Sequence, residues 1–134
     1  MSHEPRFSLI LWTTDIAALG RFLQAVGGLT LAEHHPGYAR LVAGEAEIML
    51  HSDESYRGHP WFEALQREGA ARGIGTELRF AVADVLDSYA LALRMGGLSL
   101  QPPYDDMDTR ECQVMGPDGF LLTLWQPIQS SPLE

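Results

Sequence analysis

The sequence contains one stretch twice, and this duplication limits the folds open to the chain. Residues 15–31 align without a gap with residues 84–100, an offset of 69 positions (84 minus 15) in a chain of 134 residues. Each copy begins with Asp, continues with apolar residues at helical spacing as far as a Gly-Gly pair, and ends in Leu-Thr-Leu or Leu-Ser-Leu. Asp is a preferred residue before a helix, and Gly tolerates the conformation that ends one. We therefore predict one helix in each half, within a repeated module.

Short segments rich in β-forming residues surround both helices. In the first half they are residues 6–14 before the helix and residues 29–34, 38–43 and 46–52 after it; in the second half they are residues 76–83 before it and residues 98–101, 109–115 and 120–126 after it. We expect Pro102 and Pro103 to end a strand, and Gly116-Pro117-Asp118-Gly119 to form a turn. Each half is thus predicted to be a βαβββ module.

The helix positions expected to face the core follow from the apolar spacing. They are Ile16, Leu19, Phe22, Leu23 and Val26 in the first helix, and Val85, Leu86, Tyr89, Ala90 and Leu93 in the second.

We expect a single domain that occupies residues 1–134. Module 1 spans about residues 6–52, a connection residues 53–75, module 2 about residues 76–127 and a frayed tail residues 128–134. The connection is predicted to be a loop followed by a short helix from Pro60, where proline is well tolerated. Tyr56, Arg57 and His59 lie in its irregular part, which is the place where a lid over a site could form.

Composition excludes some functions. The formal charge of −9 argues against binding to nucleic acid, because phosphates require a basic surface. No apolar run reaches the ~20 residues needed to span a bilayer, so no membrane partner is expected. The single cysteine, Cys112, fits a reducing compartment and alternates with polar neighbours. We expect a cytoplasmic protein in which Cys112 is a buried small residue and not a nucleophile.

Each strand has one apolar face that must lie under a helix, and the opposite faces are mixed. The mixed sets are Ser8, Ile10 and Trp12; Glu47, Met49 and His51; Glu77, Arg79 and Ala81; and Leu121, Thr123 and Trp125. Large apolar groups such as Trp12, Met49 and Trp125 are unusual on a solvated face. They favour a curved mixed sheet around a partly polar cavity.

This pattern resembles the vicinal oxygen chelate superfamily, which includes glyoxalase I, extradiol dioxygenases and bleomycin-resistance proteins. The sharpest local match is Arg110-Glu111-Cys112-Gln113-Val114-Met115-Gly116-Pro117-Asp118-Gly119-Phe120, in which Gly116 departs from the usual Asp. The resemblance covers about residues 6–127 and implies an α+β fold of paired βαβββ modules. It also implies a homodimer with a cavity at or beside the subunit interface. It says little about function, because one such fold carries many chemistries.

The metal positions of that superfamily fall here on Ser8, Met49, Glu77 and Thr123. Only Glu77 is a good metal ligand, and a divalent ion needs three or more. The resemblance therefore implies that the usual metal site, and hence a cofactor, is absent. A displaced site formed by Glu47, His51 and Glu77 is the alternative.

Two functions fit these patterns. The first is a metal-independent protein, similar to bleomycin-resistance proteins, that sequesters an aromatic or cationic small molecule. Its ligand-binding residues would be Ser8, Trp12, Met49, His51, Glu77, Arg79, Thr123 and Trp125. The alternative is a glyoxalase- or dioxygenase-like metalloenzyme, a lyase or oxidoreductase, whose displaced divalent metal polarises substrate oxygens. Metal-free acid–base chemistry by Glu77 is a third possibility, in which Glu77 is the candidate catalytic residue.

Overall fold

The fold was determined as a computed structural model that describes residues 6–68 and 72–128. The strands are β1 (Leu9–Thr13), β2 (Thr30–His35), β3 (Tyr38–Ala43), β4 (Ala46–Ser52), β5 (Glu77–Ala81), β6 (Leu98–Asp106), β7 (Thr109–Met115) and β8 (Leu121–Pro127). The helices are α1 (Ile16–Ala25), α2 (Pro60–Glu68) and α3 (Val85–Arg94), and two short 3₁₀ turns span Asp53–Tyr56 and Pro117–Gly119. The predicted order of two βαβββ modules is confirmed. The predicted frayed tail, apart from residue 128, lies outside the described residues.

The strands form two sheets with the same topology. The first has the order β1-β4-β3-β2 and the second the order β5-β8-β7-β6. In each sheet the opening strand runs parallel to the last strand of its module, and the other pairs are antiparallel. Among the described strands no pairing joins the two sheets. The α+β prediction is therefore confirmed, and the sheets are not closed into one barrel.

Both helices begin as the duplicated stretch predicts. The Asp15 carboxylate accepts a hydrogen bond from the Ala18 backbone N–H at 3.0 Å, and Asp84 accepts one from Asp87 N–H at 3.1 Å. Each bond satisfies one of the free donors at a helix start.

The apolar faces of both sheets and both repeated helices contribute to one core. The first helix buries Leu19, Phe22, Leu23 and Val26, as predicted. Phe22 also reaches module 2, where a Cβ atom added to Gly116 would lie 2.8 Å from its ring. The ring therefore requires glycine at the position where the resembling family usually has Asp.

Asp118 joins the two modules. It lies in the predicted turn with φ of 61°, and its carboxylate accepts hydrogen bonds from Thr13 Oγ1 at 2.5 Å, Thr14 N–H at 2.9 Å and Thr14 Oγ1 at 2.8 Å. Thr13 is fully buried at the end of β1. The turn therefore has a second role, which is to hold module 2 against the start of α1.

The core face of α3 was predicted correctly only in part. Val85 is fully buried and Tyr89 packs against the core, as predicted, whereas Leu86 and Leu93 are 51% and 40% exposed and Ala92 is buried in their place. The buried pair, Val85 and Ala92, is seven residues apart and follows the helical repeat equally well. The spacing of apolar residues could not identify the buried face of α3, because this helix carries apolar residues on all sides.

The two prolines do not end a strand, contrary to the prediction. β6 continues through the two prolines to Asp106, and its pairing with β7 shifts register between Ser99 and Gln101 and again between Gln101 and Tyr104. β6 pairs only with β7 in the second sheet, so the missing proline N–H groups can face away from the ladder.

Within the described residues, no helix has the length and apolar character needed to cross a bilayer.

Candidate functional site on two mixed sheet faces

A network of polar side chains covers the mixed face of the second sheet. Register places Glu77 beside Leu121, and Arg79 and Gln113 on either side of Thr123. Thr123 Oγ1 donates to Glu77 Oε1 at 2.6 Å, and Gln113 Nε2 donates to the same oxygen at 3.1 Å. Thr123 is buried, whereas Glu77 is exposed. The network therefore fixes one carboxylate at a solvent-accessible position.

Trp125 lies on the same face beneath a cationic side chain. The Arg79 guanidinium is 4.4 Å from the Trp125 ring centroid, and Arg79 Nη2 is 3.4 Å from Glu111 Oε2. Glu111 also accepts a hydrogen bond from Thr109 Oγ1 at 3.0 Å. The Arg79 side chain is 50% exposed and its contact with Glu111 is long, so the guanidinium is only weakly held in its position over the indole ring. This face therefore presents an indole with carboxylates nearby.

The mixed face of the first sheet is mainly aromatic. Trp12 pairs with His51 across β1 and β4, and Tyr38 pairs with His51 across β3 and β4. Met49 lies two residues before His51 on the same face, beside Ile10. These positions confirm the predicted strand register.

The connection covers this aromatic face, and three of the covering residues were not among the predicted ligand contacts. The Tyr56 ring stacks on Trp12 with a centroid distance of 3.6 Å and an interplanar angle of 10°. His59 meets Trp12 edge-on at 4.9 Å, and Trp61 lies 5.7 Å from it. Tyr56 and His59 lie in the irregular segment where the sequence predicted that a lid could form, and the structure places both against Trp12.

His51 has one satisfied and one unsatisfied nitrogen. Its Nδ1 lies 2.7 Å from the Tyr56 hydroxyl, whereas its Nε2 is buried and finds no hydrogen-bond partner among the residues that the structure describes. Burial lowers the pKa of His51 below its ordinary value and raises the pKa of Tyr56. At neutral pH we infer a neutral imidazole whose Nδ1 accepts a hydrogen bond from the Tyr56 hydroxyl and whose Nε2 carries the ring hydrogen.

A buried ion pair holds the base of the covering segment. Arg72 Nη1 and Nη2 lie 2.7 and 2.8 Å from the two Asp53 carboxylate oxygens, and Nη1 also donates to the Trp12 carbonyl at 3.0 Å. Both side chains are less than a tenth exposed. Arg72 therefore links the 3₁₀ turn that carries Tyr56 to the backbone of β1.

The alternative metal set is not assembled within the chain. Glu47, Glu77 and Arg79 line one groove of about 620 Å³, but His51 is not among its lining residues. In the described part of the chain, no three His, Cys, Asp or Glu side chains come together as metal ligands. Ser8 is exposed just before β1.

Cys112 fits the prediction that it is not a nucleophile. Its side chain is fully buried, and burial raises the pKa of the thiol to about 11 against the opposing effect of a backbone hydrogen bond from Leu124. The reactive thiolate is therefore scarce at neutral pH.

Comparison with solved structures identifies the class of fold. A glyoxalase/bleomycin resistance protein/dioxygenase family enzyme from Burkholderia phytofirmans superposes with a TM-score of 0.72, at 21% identity, over 90% of this chain and 97% of the other. A glyoxalase-related enzyme from Fulvimarina pelagi gives 0.69 at 15% identity, over 94% and 88%. A glyoxalase/bleomycin resistance protein/dioxygenase from Nocardioides gives 0.66 at 20% identity, over 98% and 88%.

The chain therefore has the vicinal oxygen chelate fold, as its sequence resemblance implied. No family model matches the sequence, and no curated protein matches it. Identity at this level establishes the fold alone, so function has to be argued from the two mixed faces.

Proposed function

We propose that this protein is a metal-independent binding protein that sequesters an aromatic cation at Trp125. The observation that carries the proposal is the Arg79 guanidinium over the Trp125 ring with Glu111 beside it. The surroundings of this indole already accommodate a cation. A ligand with a charged nitrogen and a flat ring can replace the half-exposed Arg79 side chain and use both the ring face and the carboxylate.

Glu77 adds a second carboxylate to this face. Thr123 and Gln113 hold its Oε1, and the exposed side chain remains accessible to a ligand. The overall charge of −9 favours the approach of a cation over that of an anion. The proposed ligand contacts in module 2 are therefore Trp125, Glu77 and Glu111, with Thr123 holding Glu77 in place and Arg79 displaced by the ligand.

The chemistry of the donors supports binding without a metal. Ser8, Met49 and Thr123 occupy positions where a metal-dependent protein needs strong ligands, and Thr123 is engaged by Glu77. Elemental analysis of protein purified without added metal checks this point. A stoichiometric divalent ion that is lost in Glu77→Ala would favour the metalloenzyme alternative.

The proposal includes a homodimer, as the family resemblance implies. β1 pairs only with β4 and β5 only with β8 among the described strands, so each sheet has an open edge at its opening strand. Phe7 and Ile10, at the start of β1, are 78% and 41% exposed. A second copy can cover such an edge. Light scattering after size-exclusion chromatography should give twice the chain mass, and a monomer at micromolar concentration would contradict it.

A matched set of probes tests the proposed ligand class. The probes are 1-naphthylmethylammonium, 1-naphthalenemethanol and 1-naphthalenesulfonate, which share a ring system and differ in charge. The cation should bind most tightly, and Trp125→Ala should weaken it about tenfold because the cation–π contact is lost. Preference for the sulfonate would mean that Arg79 governs the site, and the proposal would be wrong.

A further inference from the structure

The ring of Tyr56 occupies the place that an aromatic ligand of Trp12 would take. The two rings are almost parallel and overlap face to face, with centroids 3.6 Å apart, so a flat aromatic molecule could take the place of the phenol ring. The phenol oxygen of Tyr56 lies 2.7 Å from His51 Nδ1. The side chain is therefore recognised in two ways, by a ring face and by a hydrogen bond to its hydroxyl.

The pocket that holds Tyr56 is built by the first sheet itself. Trp12 and His51 are paired positions on β1 and β4, and Tyr38 on β3 closes the far side with its ring 5.5 Å from His51. Removal of the covering segment would leave an aromatic pocket with one hydrogen-bonding nitrogen at its base. Pockets of this composition are typical of small-molecule sites.

The covering segment is firmly held at its base and weakly held at its tip. The Asp53–Arg72 pair at the base is buried, whereas the neighbouring pair of Glu54 and Arg57 has side chains that are 63% and 75% exposed. Gly58 follows with φ of 89°, a conformation that glycine adopts without steric cost, and its missing side chain leaves the backbone here with more accessible conformations than any other residue would. Tyr56 can therefore leave its pocket without breaking the buried ion pair.

One hydrogen-bonding atom beside the pocket has no partner within the described part of the chain when Tyr56 fills it. His51 Nε2 is buried and has no partner among the described residues. Buried polar atoms are normally paired in folded proteins, so this nitrogen is an unused hydrogen-bonding group beside the pocket.

We propose that Trp12 and His51 form a binding site for a hydroxyaryl group, a phenol, and that Tyr56 fills this site in the free protein until such a ligand replaces it. The ligand class follows from what the pocket already holds, which is a flat ring with one hydroxyl directed at His51. This site lies on the opposite module from Trp125 and takes a different ligand, so it goes beyond the function proposed above.

The test uses p-cresol, which is the Tyr56 side chain as a free molecule, and toluene, which lacks only the hydroxyl. Binding is followed by calorimetry and by the emission of Trp12 in a Trp61→Phe/Trp125→Phe background. Wild-type protein should bind p-cresol saturably. Tyr56→Ala should bind it about tenfold more tightly, because the competing side chain is gone.

Two further variants assign the contacts. Tyr56→Phe keeps the stacked ring but loses the hydrogen bond, so p-cresol affinity should rise only about threefold. In Tyr56→Ala, p-cresol should bind about fivefold more tightly than toluene, and addition of His51→Phe should remove that preference. Tyr104→Ala, on the other sheet, is the matched control and should leave p-cresol affinity unchanged.

Two outcomes would overturn the proposal. Weaker p-cresol binding in Tyr56→Ala would make Tyr56 a wall of the site and not its occupant. Binding by Tyr56→Ala with none by wild type would mean that the substitution merely created a cavity. Both results are independent of Trp125, because the cation site is judged by the naphthyl probes and Trp125→Ala.

Discussion

The two mixed faces have the same backbone and different chemistry. Trp12 pairs with His51 across β1 and β4, and the equivalent pair across β5 and β8 is Ala81 with Trp125. The large indole has thus changed strands between the modules. Side chains from residues 56–61 cover the first face, whereas the second carries an exposed network of carboxylates and a guanidinium. Duplication preserved the framework, and the side chains that point away from the core diverged.

The largest expected effect comes from the ion pair under the first face. Arg72→Met leaves the Asp53 carboxylate buried without its partner, which should lower the free energy of unfolding by about 3–5 kcal/mol. Urea unfolding followed by circular dichroism measures this. Arg57→Met, which breaks the exposed pair with Glu54, is the control and should change stability by less than about 0.5 kcal/mol. If Arg72→Met and Arg57→Met lowered the free energy of unfolding equally, the burial of the Asp53–Arg72 pair would not be the cause of the loss.

The next effect concerns the contact between the modules. Asp118→Asn keeps a residue that tolerates positive φ but removes the charge that accepts bonds from Thr13 and Thr14, so we expect a loss of about 2 kcal/mol. Thermal unfolding measures it. Asp108→Asn, at an exposed position of the β6–β7 turn, should have no comparable effect. A neutral Asp118→Asn would show that the apolar core alone holds the modules together.

A smaller effect tests whether the cation binds at the mixed face of the second sheet in particular. Glu111→Gln removes the carboxylate beside Trp125 and should weaken 1-naphthylmethylammonium about threefold, since an exposed charge contributes modestly. Glu33→Gln, which breaks the ion pair with Arg40 in the first sheet, should leave that affinity unchanged. Fluorescence titration compares the two. Equal weakening would indicate that overall charge, and not the local site, attracts the cation.

The smallest effect is a pH dependence specific to the first face. Burial lowers the pKa of His51, so the unfolded chain binds the proton more readily than the folded one. The stability that comes from burying a neutral His51 is fully present above the ordinary pKa of histidine, about 6.5, and is lost as the pH falls below that value. His51→Gln should therefore reduce the loss of stability between neutral and acidic pH. His34→Gln, which changes an exposed histidine on β2, should not.

Much of the fold could be predicted because it depends on local patterns. Asp15 and Asp84 cap their helices as expected, and strand alternation correctly separated the core side from the mixed side. The core face of α3 was predicted only in part, with Val85 correct and Leu86 and Leu93 wrong, because apolar residues lie on all sides of this helix. The continuation of β6 through two prolines depends on its place at a sheet edge, which no local pattern reveals.

The site was predictable in part. Alternation placed Trp12, His51, Glu77, Arg79, Thr123 and Trp125 on mixed faces, and the structure brings Glu77 to Thr123 and Arg79 to Trp125. It does not bring His51 into the groove that Glu47 and Glu77 line. Tyr56 was expected only as part of a possible lid, and Arg72 was not singled out. Both contact Trp12, which is remote in sequence, so their roles depend on how the connection folds back over β1.

The sequence by itself determined the repeated module, since the duplicated helix and the alternation of strands are encoded within short windows. It also determined which residues leave the core, because a strand has only two faces. Only the tertiary structure decided that Tyr56 covers Trp12, that Asp118 fastens one module to the other and that Phe22 requires glycine at Gly116. These contacts join residues from different elements, so their formation depends on the packing of the whole chain and leaves no periodic signal in the sequence.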